Sequence, residues 1–254
     1  MKTTLYTLLA VLFACSPLQA MEQDISVTIE SLVPDGGVYF TPVWLGFHDG
    51  SFDLFDPGGL ASEAVERLAE DGDGSILRLI FADTPGSIDE VVTAPNGFTG
   101  APVFDPGDSN SIQLTVNAQS QRFMSFMSMI IPSNDAFIAN SNPQAIELFD
   151  AAGNFNGKQI ITITGAMVWD AGTELNTEMD AAFINQTDPN TGISTLCPVL
   201  PHPGYLGSFA NAGSVPLILG GTGPEDIYFD SVGADFSLPH AAIARITIAA
   251  VPAP

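Results

Sequence analysis

Positive charge is nearly missing from this chain: 6 lysines and arginines stand against 29 aspartates and glutamates, giving a formal net charge of -23. Phosphate backbones need a basic footprint, so nucleic acid is excluded as a partner. Cysteine is almost absent too, with Cys15 and Cys197 alone. Once a leader is removed only Cys197 remains, so no internal disulfide can form, and its expected place is the interior, where single cysteines most often lie. No apolar run of about eighteen residues follows the N-terminal stretch, so no membrane-spanning helix is expected in the mature chain. Catalytic signatures are lacking as well. There is no G-x-S-x-G and no H-E-x-x-H, and Asp53, Asp56, Asp83 and Glu90 make no recognisable acid–base pair. No enzyme, no catalytic residue and no organic cofactor is expected.

The acidity does not signal disorder, because charged residues make up 14% and hydrophobic residues 46% of the chain. Residues 1–20, MKTTLYTLLAVLFACSPLQA, carry Lys2, an apolar run from Leu8 to Ala14 and small residues near Ala20. That pattern predicts a signal peptide and a secreted or periplasmic protein, with residues 21–254 as one domain. Leu12-Phe13-Ala14-Cys15 approximates a lipoprotein site, so lipidation at Cys15 stands as the alternative to cleavage after Ala20.

Alternating apolar residues predict strands at Ile25, Val27, Ile29, at Val43, Leu45, Phe47, at Ile112, Leu114, Val116 and at Ala244, Ile246, Ile248. The run Phe123–Ile131 is apolar except for two serines, which predicts a central strand buried on both faces. Its Met124, Met127 and Met129 read as core filler, lacking the His or Cys of a copper site. Leu60, Ala64, Val65 and Leu68 recur at helical spacing before Asp71-Gly72, predicting one short amphipathic helix with a solvated end. Many short strands, long Pro- and Gly-rich loops and one helix predict an antiparallel β-sandwich.

Two acidic strand ends carry the chemistry. WDAGTELNTE, Trp169–Glu178, places Asp170, Glu174 and Glu178 with Thr173, Asn176 and Thr177 on a loop fed by a strand; PSND places Asp135 where the central strand leaves the core. A solvated loop is the plain account of so many acids in so acidic a chain. The other account is a cation site: carboxylates about 4 Å apart repel by roughly 4 kcal/mol per pair at an effective dielectric near 20, so a shared cluster calls for a cation unless it protonates. Oxygen-only ligands at loose geometry favour calcium over zinc or magnesium. His48 in GFHDG, beside Asp49, reads as a strand-end residue satisfied by a neighbour. His202, between prolines, reads as a surface loop residue.

TPVWLGFHDGSFDLFDPGG, ERLAEDGD, PSNDAF, IELFDAAG, WDAGTELNTE and HAAIARITI together resemble the spondin domain, the N-terminal module of F-spondin and mindin, in its single-domain bacterial branch. The resemblance covers nearly the whole mature chain, and its most specific piece is WDAGT with PSND upstream. It implies a C2-like sandwich with a calcium ion at one end held by Asp135, Asp170 and Glu174. Animal members usually have aspartate where Glu174 stands and an aromatic where Ala136 stands, and thrombospondin repeats are lacking here. The expected function is a secreted calcium-binding module for cell-surface or extracellular adhesion, with an unidentified extracellular or cell-surface protein or glycan as partner. The alternative is a calcium-dependent carbohydrate-binding module, with Trp44, Tyr205 and Tyr228 as stacking platforms against their plainer role in packing.

Overall fold

The computed structural model describes residues 22–95, 102–177, 182, 192–204, 213–215, 227–229, 234–236 and 240–252. The expected leader, Glu178, Tyr205 and the side chain of Tyr228 lie outside the described residues. In chain order the elements begin with β1 (Glu22–Ser31), β2 (Tyr39–Phe40), β3 (Val43–His48), α1 (Glu63–Asp71), α2 (Ser75–Phe81), β4 (Ile88–Val92), β5 (Ser109–Asn117) and β6 (Phe123–Ile131). They continue with β7 (Ala136–Ala139), β8 (Ile146–Glu147), β9 (Gln159–Thr164), β10 (Val168–Asp170), β11 (Leu200–Pro201), β12 (Gly213–Val215), β13 (Ile227–Phe229) and β14 (Ala242–Ala250).

One antiparallel sheet runs β5-β1-β14-β9, and the other runs β11-β10-β7-β6-β3-β4 with β2 and β8 paired to β6; β12 and β13 form a separate ribbon. The alternation read in the terminal strands is what pairs them: Val27 lies opposite Ile248 and Ile29 opposite Ile246, all four fully buried. Their inward faces meet Val43, Leu45, Phe47, Met124, Phe126 and Ile138 of the second sheet in one continuous core. Each such side chain contributes roughly 1.5–3 kcal/mol relative to leaving it in water. The architecture is the expected all-β sandwich.

A second core covers the outer face of the larger sheet, and it explains why β6 is apolar on both sides. Trp44, Phe55, Val65, Leu68, Leu77, Phe81, Met127 and Phe137 pack there beneath the helices. Trp44 meets Phe81 edge-on with ring centroids 5.0 Å apart, and Phe52 meets Phe81 at 4.7 Å. The expectation of a single helix is corrected: α1 is followed at once by α2, so two helices lie among the described residues. Ser62 caps α1, its Oγ accepting the Val65 N–H, and Gly72 in the left-handed conformation (φ 68°) ends it with its N–H on the Arg67 and Leu68 carbonyls. A fresh start follows because Asp73 Oδ1 accepts the Ser75 N–H at 2.9 Å. Helical periodicity missed α2 because Leu79 and Ile80 face solvent, blurring its apolar stripe.

His48 belongs to the structure rather than to a site. Its ring is fully buried; Nδ1 accepts the Gly50 N–H at 3.0 Å, so Nε2 carries the proton and donates to Ser125 Oγ at 3.1 Å. Asn140 continues the chain, donating to Ser125 Oγ and accepting the Phe126 N–H. Burial pulls the His48 pKa below its ordinary value, against the opposing charge of Asp49.

Candidate metal site

The site begins where β6 leaves the core. Pro132, after a cis peptide, turns the chain, and Ser133 closes the turn by donating to the Ile130 carbonyl at 2.6 Å and accepting the Ala136 N–H at 3.0 Å. Asp135 is thereby held at the first corner of β7 with no solvent exposure. β10 runs antiparallel to β7 with Asp170 opposite Ala136, and the Ala171 N–H donates to the Asp135 carbonyl. Asp135 and Asp170 are therefore neighbours where β7 begins and β10 ends.

The loop after Asp170 folds back onto Asp135. Asp170 Oδ1 accepts the Gly172 N–H at 2.7 Å, and Gly172 turns with φ +69°. That bend aims the Thr173 and Glu174 N–H groups at Asp135 Oδ2, at 2.8 and 3.0 Å, with the Thr173 hydroxyl at 3.3 Å. Glu174, 4% exposed, points inward, and its Oε2 accepts from Asn134 Nδ2 at 3.2 Å. Asn176 donates to Asp170 Oδ2 at 2.5 Å. Residues 193–197 run beside the loop, with Thr195 and Cys197 donating N–H groups to the Thr173 and Gly172 carbonyls. Gly192 lies against Glu174 so closely that an added Cβ would overlap its carboxylate.

The structure thus sets Asp170 and Glu174 close enough to Asp135 for their charges to act on it, while Thr173 bonds Asp135, Asn176 bonds Asp170, and the Thr177 N–H donates to Asn134 Oδ1 and the Leu175 carbonyl. Among the described residues no group of three or more His, Cys, Asp or Glu side chains is placed so that it could hold a metal ion. Asp135 nonetheless fits a hard cation. One of its oxygens, Oδ1, is buried without any hydrogen-bond partner. Burial pushes its pKa up to about 7, the charges of Asp170 and Glu174 push the same way, and the Glu174 and Thr173 N–H groups only partly oppose them. A buried, orphaned carboxylate oxygen on a side chain that feels two more acids is a site that a proton or a cation must neutralise.

A fourth acid escaped the sequence reading. Glu70, on the last turn of α1, was expected at a solvated helix end but is 3% exposed. Burial pushes it up to about 7, with Glu174, Glu66 and Asp71 adding to the rise and a hydrogen bond from the Thr173 side chain opposing it. The packing of α1 over β6 and β7 puts it there, and no spacing within ERLAEDGD reports that contact.

Two further expectations, those for Cys197 and His202, are corrected, while Trp44 takes the packing role that was its plainer reading. Cys197 is exposed rather than buried, although its N–H is tied to the Gly172 carbonyl. Trp44 is 1% exposed, with Nε1 donating to Asp89, so it is packing and offers no platform to a sugar. His202 is buried, its Nδ1 accepting the Gly204 N–H and its ring 5.1 Å from Phe236.

Gly172 is the position least open to change. An added Cβ would overlap the Cys197 carbonyl, and the left-handed φ disfavours any side chain. Gly172→Ala is expected to cost about 1–3 kcal/mol in stability from backbone conformation alone, read as a lower urea midpoint in chelator, and to weaken any cation response further by displacing the Thr173 and Glu174 N–H groups.

A model of the Spondin_N family matches residues 33–203, well over half of the chain. The matched span contains Asp135, Asp170, Glu174 and Glu70. Among curated proteins none matches this chain.

Proposed function

The chain belongs to the spondin N-terminal domain family, and from that premise we propose that it is an exported calcium-binding module that attaches to a partner at a cell surface or in the extracellular surroundings. The family itself points to an extracellular module. No described helix is long and apolar enough to cross a membrane, a statement that leaves β-barrels aside. In this reading residues 1–20 are the leader, with cleavage after Ala20 and lipidation at Cys15 as the alternative. The domain binds and does not catalyse.

The observation that carries the calcium reading is Asp135 Oδ1, a fully buried carboxylate oxygen with no partner beside Asp170 and Glu174. Asp135, Asp170 and Glu174 would hold the ion, and Thr173 and Glu174 N–H groups keep Asp135 oriented toward the loop. A bound calcium ion would supply the positive charge that these acids lack. Their donor set of carboxylates suits calcium, which accepts six to eight oxygens at flexible geometry. Carbonyls and water complete such a shell.

Isothermal titration of chelator-treated protein tests the reading. Calcium is expected to give a saturable heat and a higher melting temperature, magnesium a weaker effect. Asp170→Asn is expected to lower calcium affinity by roughly tenfold to a hundredfold, since it removes a full ligand charge. Neither heat nor a shift in melting with the unaltered protein would end the proposal.

A further inference from the structure

The segment beside the metal loop has a second, unused edge. Thr195 and Cys197 give their N–H groups to the Thr173 and Gly172 carbonyls. Strand alternation then turns the N–H and C=O of Leu196 the other way, away from residues 172–175, where no described residue bonds them. Farther along, the outer edge is occupied: the Gly58 N–H donates to the Val199 carbonyl at 2.8 Å and the Val199 N–H to the Gly59 carbonyl at 2.7 Å. Pairing stops short at Leu196.

Next to that open edge lies a groove of about 180 Å3 whose lining includes Leu60, Ala61, Glu66, Thr173, Leu196 and Cys197. Leu196 is 90% and Leu60 67% exposed, so two large aliphatic side chains stand in water on its walls. Glu66 supplies negative charge within the groove, and Asp56 and Glu63, both exposed, flank Leu60 in sequence. No lysine or arginine is among the described residues that line it.

We propose that this groove docks an extended peptide segment of a partner protein that presents an aliphatic side chain next to a lysine or arginine. The open edge calls for a chain with its own free N–H and C=O groups, as in strand addition. Leu60 and Leu196 call for an aliphatic side chain between them, and Glu66 calls for a cation beside it. An anionic lipid surface is opposed by the net charge of -23. The inference shares the binding role proposed above and does not depend on the ion.

The probe is a short fluorescein-labelled peptide in which leucine alternates with lysine, followed by fluorescence anisotropy at physiological salt. Saturable binding is expected, and none for the same peptide with glutamate in place of lysine. Leu60→Ser and Leu196→Ser are each expected to weaken binding about tenfold, the worth of burying part of a leucine. Both residues are exposed, so folding is not at issue. Leu79→Ser, at a 72% exposed leucine of α2 outside the groove, is expected to change nothing. Equal affinity for Leu60→Ser, Leu196→Ser and unaltered protein would overturn the proposal, as diffuse attraction to an acidic surface. So would equal binding of the glutamate peptide, or association with anionic vesicles but not with the lysine peptide. Leucine-dependent binding that persists in a protein giving no calcium heat would leave the groove standing and remove the ion.

Discussion

Replacing Asp135 by asparagine is expected to raise the melting temperature of the metal-free protein at neutral pH and to abolish its response to calcium. The two effects have one cause. Asp135 has an ordinary pKa of 3.8 that is pushed up to about 7 in the fold, chiefly by burial and then by Asp170 and Glu174. A carboxyl whose folded pKa is raised holds its proton more tightly when folded. Its stabilisation is complete below the unfolded pKa and is lost as pH rises through about 7. A shift of that size corresponds to an upper limit of about 4 kcal/mol. Asparagine keeps an oxygen for the Thr173 and Glu174 N–H groups and puts an NH2 donor in place of the orphaned Oδ1. It carries no charge to neutralise. The variant is expected to melt roughly 5 °C above the unaltered protein at pH 7.5 in chelator, at about 2–4 °C per kcal/mol for a domain of this size. The difference is expected to vanish near pH 4. His48 slopes the other way, losing stability as pH falls below about 6.5, but it does so in both proteins and cancels at each pH. Calcium at a hundred times its dissociation constant adds about 2.7 kcal/mol to a protein that binds it, and the variant is expected to gain none of it. A variant that melts lower than the unaltered protein in chelator at pH 7.5, yet still responds to calcium, would refute the assignment of Asp135.

Glu70→Gln is the second test, and it separates charge from shape. Glutamine keeps the length of the side chain and an acceptor for the Thr173 hydroxyl, whose one proton is shared between this residue and Asp135 Oδ2. It removes a negative charge buried among Glu174, Glu66 and Asp71. The metal-free variant is expected to be more stable at pH 7.5, and its calcium affinity about tenfold weaker, because the ion loses the field of a nearby charge in a site of reduced dielectric. Glu70→Ala is expected to be destabilised instead, by about 1–3 kcal/mol, since it also empties the space and strips the Thr173 hydroxyl of a partner. Thermal melts in chelator and calcium titrations distinguish the outcomes. Should Glu70→Gln melt below the unaltered protein and bind calcium as tightly, Glu70 would be only a helix anchor.

The sandwich was legible because its strands obey a simple period. Ile25, Val27 and Ile29, and Ala244, Ile246 and Ile248, alternate cleanly, and β6 is apolar throughout because a second core lies on its far side. Asp135 and Asp170 could each be read as an acid at the end of an apolar strand. That they are neighbours follows from the pairing of β7 with β10, with Asp170 opposite Ala136, and such a register leaves no mark in either segment alone. Glu70 was hidden for the same reason one level up: α1 contacts the sheet through tertiary packing, and a glutamate at a helix end looks solvated until that packing is known. Cys197 and His202 were misplaced because 193–204 has no periodicity to read. That segment is held by backbone hydrogen bonds to 172–175 and to Gly58 and Gly59, which any side chains could accompany.

The double coverage of β6 bears on how an ion would come and go. Amides in a strand with sheet on one side, helices on the other and neighbours along both edges open only with the whole molecule, so hydrogen exchange there should be the slowest in the domain. Asp135 follows directly from that strand, whereas Asp170 leads into a loop fastened by a handful of hydrogen bonds. One jaw of the clamp is bolted to the frame and the other is sprung. Release of a bound ion would therefore be timed by the lifting of residues 171–177, and changes in that loop should alter residence time while leaving the fixed jaw in place.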